Sequence, residues 1–173
     1  VALDTVPHPP TLPAVWSRDD FTYLRADLED FGDTVDALGG CDAVVHLAAI
    51  PRDFRGGADL RLLNTEGTRA VVEAMRTAGV RRLVHLGAMG VEDDPNLHYA
   101  SSKAKAEALV RDSGLDWTIL KPSLQFGEGD GFFNIIADLI RMSPGIVPVP
   151  GRGDSRFQPI HVADVARVIV ASL

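Results

Sequence analysis

A single cysteine, Cys41, stands among 173 residues, so no internal disulfide can form and the paired cysteines of a structural metal site are absent. That scarcity fits a reduced, cytoplasmic setting. Long hydrophobic runs are missing as well: no stretch approaches the roughly 20 apolar residues of a membrane span, and no signal-peptide pattern opens the chain. Basic residues are outnumbered, 17 Lys and Arg against 24 Asp and Glu, giving a net charge of -7, and Arg81-Arg82 is only a short doublet. This balance argues against a nucleic-acid surface or a polybasic membrane patch. Internal repeats, low-complexity tracts and heptads are also lacking. What remains, 46% hydrophobic and 24% charged residues, is the composition of one ordinary globular domain with a core.

Strand-like and helix-like runs alternate along the chain, the pattern of parallel strands joined by helical crossovers. Val1–Asp4 reads as a strand tail, and the Pro-rich segment Pro7–Pro13 as a loop. Phe21–Asp27 reads as a second strand and Phe31–Leu38 as a short helix closed by Gly39-Gly40. Ala43–Leu47 has the continuous apolar character of a strand buried on both faces. From Leu60 to Ala78, Leu63, Ala70, Val71, Ala74 and Met75 recur at helical intervals before the stop at Gly79. Leu83–Leu86 and Trp117–Leu120 are further strands, the second halted by Pro122, and helices are expected near 99–113, 132–142 and from 162. Phe132, Phe133 and Trp117 are expected in the core.

Tyr99 and Lys103 lie four residues apart, which on a helix puts both side chains on one face. A phenol beside an ammonium is an acid/base device. Free tyrosine titrates near ~10, so work near neutrality needs a shift of roughly 2 to 3 units, or about 3 to 4 kcal/mol. One cation about 5 Å away supplies roughly 3 kcal/mol at an effective dielectric near 20, and far less in water. The pair therefore requires partial shielding from solvent. A merely structural pairing is the plainer reading of the spacing alone.

The Tyr99/Lys103 spacing occurs with Leu47-Ala48-Ala49, with Asp116-Trp117-Thr118-Ile119-Leu120-Lys121-Pro122-Ser123, and with the run from Arg156 through Phe157, His161 and Asp164 to Ala166. In this order the motifs resemble the extended and atypical short-chain dehydrogenase/reductase superfamily. The group is the NAD-dependent epimerase/dehydratase-like one, and the chain is similar to the family of the NAD-binding 39 kDa subunit of respiratory complex I. The resemblance implies an α/β fold with a Rossmann-like, doubly wound parallel sheet.

It further implies that Asp4 accepts hydrogen bonds from the adenosine ribose, a position that favours NAD while leaving NADP possible through Arg18 or another base. Asp27 and Leu28 would meet the adenine edge, and Leu47, Ala48 and Ala49 would let a strand end approach the cofactor closely. Pro122 and Ser123 would pass the nicotinamide carboxamide. Lys103 would hold the nicotinamide ribose while lowering the pKa of Tyr99. Asn64 would stabilise a helix and help hold active-site water. Plainer readings stand beside these: Asp4 opening a loop, Asp27 capping the next helix, Asn64 making a local backbone bond, Pro122 only stopping a strand. His161 reads mainly as a packed residue and Asp164 as a helix N-terminal carboxylate, a catalytic histidine being the sharper alternative.

Two departures qualify the implied activity. Leu86-Gly87-Ala88-Met89-Gly90 stands where the family usually carries a Ser or Thr donor, and losing one positioned donor costs about 10²- to 10³-fold in turnover. No Gly-rich turn precedes Asp4, so the expectation is a partial NAD(P)-binding Rossmann-like domain over residues 1–173. It would lack the first strand-turn-helix unit and the complete C-terminal substrate lobe, with about 124–161 contributing to the substrate side. Missing the central strand would leave its neighbours without a shared ladder. The leading function is an NAD(P)-dependent oxidoreductase, epimerase or dehydratase acting on a small-molecule alcohol or ketone carbon by hydride transfer. A nucleotide sugar is less expected, because Arg156-Phe157-Gln158-Pro159 lacks an Arg-Asp pair. A homodimer or larger assembly is compatible with this reading. The rivals are a non-catalytic NAD(P)-binding module for redox sensing or assembly, and an inactive fragment.

Overall fold

The computed structural model describes residues 1–5, 21–25, 27, 30–143, 145, 154 and 156–173. Strand β1 (Ala2–Asp4) pairs in parallel with β2 (Tyr23–Arg25), in register Leu3 to Leu24. Helix α1 (Phe31–Leu38) follows, its first turn capped by Asp30, whose carboxylate accepts from the Asp33 N–H at 3.2 Å. Asp27 is therefore not that cap. Leu28 lies outside the described residues, as do Arg18 and the Pro7–Pro13 segment.

The main sheet runs β3 (Ala43–His46), β4 (Arg82–Leu86) and β5 (Asp116–Leu120), all parallel, with His46 beside His85 and His85 beside Ile119. Parallel neighbours need long crossovers, and helices supply them. Between β3 and β4 the chain forms a short turn α2 (Ala58–Leu60), a π-helical turn (Arg61–Glu66) and then α3 (Gly67–Ala78). The single regular helix expected over this stretch is thus broken by wide turns. Helix α3 ends at Gly79, whose φ of 76° is left-handed, while the Val80 N–H reaches back to the Met75 carbonyl.

Between β4 and β5 lies α4 (His98–Arg111). Leu38 of α1, Val71, Val72, Ala74 and Met75 of α3, Leu83 of β4 and Val110 of α4 form one buried cluster. Of the apolar residues read at helical spacing, Val71, Ala74 and Met75 are buried on α3, Ala70 is half-buried, and Leu63 lies in the π-helical turn. Beyond β5 come β6 (Gln125–Phe126), α5 (Phe133–Met142), β7 (Ile160–His161) and α6 (Val162–Ala171), with β6 and β7 pairing in parallel. Arg82 ties α6 to the main sheet by donating to the Ser172 carbonyl. The short pair β6 and β7 was not expected from the sequence, because two-residue strands leave no period to read. Trp117, Phe132 and Phe157 are exposed, which corrects the core placement of Trp117 and Phe132. Phe132 packs instead against the rings of Phe133 and Phe157 at the surface.

Among the described residues no ladder joins β1 to β3. A cleft of about 680 Å³ lies between them, lined by Ala2, Leu3 and Asp4 on one side and Ala43 through Ile50 on the other.

Candidate active site

Five of the sequence-assigned cofactor residues, Asp4, Asp27, Leu47, Ala48 and Ala49, line that one cleft. Asp4 ends β1, Asp27 follows β2, and the Leu47–Ala49 turn follows β3, so they come from the carboxyl ends of three strands. In open α/β sheets ligands bind outside the carboxyl ends of the strands; the rest of this cleft runs between the flanks of β1 and β3 and is lined by Thr34, Ala37 and Leu38 of α1 and Val71 of α3. Among the described residues no Lys or Arg side chain lines the cleft.

Tyr99 and Lys103 sit elsewhere, on the first two turns of α4, with Lys103 reaching the end of β4. Lys103 is only 4% exposed, and its Nζ donates to the Leu86 carbonyl at 2.6 Å. Burial lowers its pKa and the Glu107 carboxylate opposes that fall. Tyr99 is 36% exposed, and burial holds its phenol above the ordinary value. This corrects the expectation that Lys103 depresses Tyr99. The ammonium is drawn inward to a backbone carbonyl, so its charge serves the end of β4 rather than the phenol. Pro122 joins this end of the sheet, its carbonyl accepting from the Met89 N–H at 3.0 Å, with Ser123 next in the chain and half-buried.

Asn64 connects the two groups. Its Oδ1 accepts from the Ile50 N–H at 2.8 Å, and its Nδ2 donates to the Ile50 carbonyl and to Ser102 Oγ, each at 3.0 Å. Ser102 Oγ in turn donates to the Tyr99 carbonyl at 2.8 Å, and Thr65 Oγ1 donates to the Ser102 carbonyl at 3.0 Å. The cleft-lining loop after β3 is thereby pinned to the tyrosine helix. Asn64 does more than make a local bond. The π-helical turn carries both Asn64 and Thr65 into this position, and such turns recur at functional sites.

Beneath Lys103 lie His46 and His85, both buried, with ring centroids 5.2 Å apart. His46 Nε2 shares a 3.0 Å hydrogen bond with Thr68 Oγ1, while neither ring nitrogen of His85 has a partner among the described residues. Burial first, and then the charge of Lys103, pulls His46 down to about 4. Burial, His46 and Lys103 together pull His85 to about 2. Both rings are neutral at pH 7. Each sits in a continuous apolar strand buried on both faces, which implies burial, but nothing in the sequence says that they meet.

Ser101 Oγ donates to Asp93 and does not replace the missing donor. His161 is exposed rather than packed: its Nδ1 accepts from the Ala163 N–H at 3.1 Å as the cap of α6, and its ring meets Phe126 edge-on. Asp164 lies in the first turn of α6 and pairs with Arg167. Among the described residues no cluster of His, Cys, Asp or Glu could hold a metal.

A family model described as NAD(P)H-binding matches residues 5–173. The chain belongs to this NAD(P)H-binding family, and its fold is Rossmann-like. A dTDP-glucose 4,6-dehydratase of Streptomyces niveus is 29% identical over 172 residues, covering 87% of this chain and 51% of the relative. Subunit 9 of the NADH dehydrogenase 1 alpha subcomplex of Arabidopsis thaliana is 30% identical over 100 residues, 58% of this chain and 25% of that protein. Among solved structures, a dTDP-glucose 4,6-dehydratase double mutant from Streptomyces venezuelae with NAD bound superposes with a TM-score of 0.82 at 24% identity. It covers 99% of this chain and 62% of that one. The chain thus spans about half the length of the first of these relatives.

Proposed function

We propose that this chain is the cofactor-binding part of an NAD(P)-dependent oxidoreductase, epimerase or dehydratase of the extended short-chain type, working at a carbon that bears an alcohol or its ketone. One observation carries the reading: Asp4, Asp27 and the Leu47–Ala49 turn share a cleft that Asn64 and Ser102 fasten to the helix bearing Tyr99 and Lys103. The donor set fits a dinucleotide. Carboxylates at two strand ends can accept from ribose hydroxyls and the adenine edge, and the small side chains of Ala48 and Ala49 leave room for close approach. The Asp4 carboxylate favours NAD, and Arg25, opposite Asp4 on β2, is a described cation that NADP could use for its 2′-phosphate.

When bound, the nicotinamide supplies or accepts the hydride. Tyr99 holds its proton at neutral pH and gives it to a ketone oxygen, or takes one from an alcohol once ionised. Lys103, whose ammonium rests on the Leu86 carbonyl, would hold the nicotinamide ribose. Pro122 and Ser123 would bound the nicotinamide side, and the stretch of about 124–161, in part outside the described residues, would contribute to the substrate side. Residues 1–173 would act as one partial domain, in the cytoplasm and as a homodimer or larger assembly; among the described residues no helix is long and apolar enough to cross a membrane.

Turnover compared between wild type and Tyr99→Phe tests the assignment. A loss of about 10²-fold or more is expected. Equal and negligible rates in both would instead favour a cofactor-binding module without turnover, the reading that the donor-less Gly87–Met89 turn supports. Titration of NADH by its fluorescence tests the cleft directly, with Asp4→Ala expected to weaken binding about tenfold through loss of a charge-assisted hydrogen bond.

A further inference from the structure

Glu107 is the buried acid that the reading above leaves without a task. It lies one turn beyond Lys103 on the inner face of α4 and is 2% exposed. Its Oε2 takes ion pairs from Lys121 Nζ at 2.9 Å and Arg111 Nη2 at 3.2 Å, while Oε1 has no partner among the described residues. A side chain placed on Gly87 would put its Cβ 2.5 Å from that Oε1. The carboxylate therefore occupies the space beside Gly87, one residue past Leu86, whose carbonyl receives the Lys103 ammonium. Gly87 belongs to the turn that lacks a hydroxyl donor, and its missing side chain admits this carboxylate.

We propose that Glu107 is a positioning residue for Lys103: its buried carboxylate, anchored by Lys121 and Arg111 and admitted by Gly87, keeps the lysine charged and directed to the end of β4. The inference rests on the proposed role of Lys103 for its functional meaning. Its physical content stands alone, because an ammonium with a single carbonyl partner in a nearly dry pocket favours losing its proton unless an anion is near. The groups facing Lys103 are the Leu86 carbonyl and His85 from β4, His46 from β3 and Glu107 from its own helix; those facing Glu107 are Arg111 and, from the end of β5, Lys121. Glu107 is the one anion among them.

The test follows the Lys103 ammonium by proton–nitrogen correlation NMR across pH, assigned by its disappearance in Lys103→Arg. Glu107→Gln keeps the shape and removes the charge, and should lower the deprotonation midpoint by about one pH unit or more, that is, to an about tenfold higher proton concentration. Glu107→Asp, which keeps the charge but withdraws it by a methylene, should give a smaller movement the same way. An unmoved midpoint in whichever variant folds overturns the proposal. NADH titration of the same samples separates the two ideas: absent NADH binding with a moved midpoint sinks the cofactor reading and leaves the Glu107 role intact.

Discussion

Burial around the phenol raises the pKa of Tyr99, and Lys103 is engaged elsewhere, so the phenol keeps its proton through neutrality. Reduction of a ketone needs that proton, whereas oxidation of an alcohol needs the phenolate. Oxidative turnover should accordingly climb about tenfold per pH unit on the alkaline side, and a pH–rate profile flat between pH 7 and 9 would contradict this assignment. His46 carries a second prediction. Its pKa is depressed to about 4 from an ordinary 6.5, so the folded state resists its protonation and the unfolded state does not. Stability from this group is full above about pH 6.5 and falls as pH drops toward 4, by about 1.4 kcal/mol per unit. Urea unfolding at pH 7, 6 and 5 measures it; equal midpoints would refute the burial of a neutral imidazole pair.

Two elements depend on single side chains. Asn64→Ala strips both hydrogen bonds from Ile50 and one from Ser102, leaving part-buried backbone groups to find new partners. A destabilisation of about 1 to 3 kcal/mol should result, with hydrogen exchange of the Ile50 amide sharply faster. Unchanged protection at Ile50 would mean that the loop after β3 is held by something else. Helix α3 owes its place to Met75, fully buried between α1, β4 and α4. Met75→Ala should cost about 2 to 5 kcal/mol in chemical denaturation, against under ~1.5 for Met75→Leu, which preserves volume.

Across the whole molecule, apolar surface is unevenly spread. The layer of α1, α3 and α4 against the main sheet is well buried, while α5 buries none of its residues, exposing Ile135, Leu139, Ile140 and Met142. Continuous apolar faces of this kind bind hydrophobic dyes and promote association. The chain should enhance anilinonaphthalene sulfonate fluorescence severalfold in its folded state, and Leu139→Lys with Ile140→Lys should remove most of the signal. Dye binding that survives both substitutions would place the sticky surface elsewhere, the cleft between β1 and β3 being the next candidate.

Much of the fold was legible in the sequence because local chemistry determines it. The apolar rhythm from Leu63 to Met75 marks a buried helical face, Gly79 ends that helix, and the Tyr99/Lys103 spacing puts two functional groups on one helix. The order of strands and helices was enough to imply parallel pairing, and the motif order carried the family. Tertiary structure alone decided what these groups do to one another. The Lys103 ammonium turns to Leu86 rather than Tyr99, Asp30 instead of Asp27 caps α1, and Glu107 fills the space that Gly87 leaves. Spacing along a chain fixes which face a side chain takes; its pKa and its partner depend on burial and on residues distant in sequence, which only packing brings within a few ångströms.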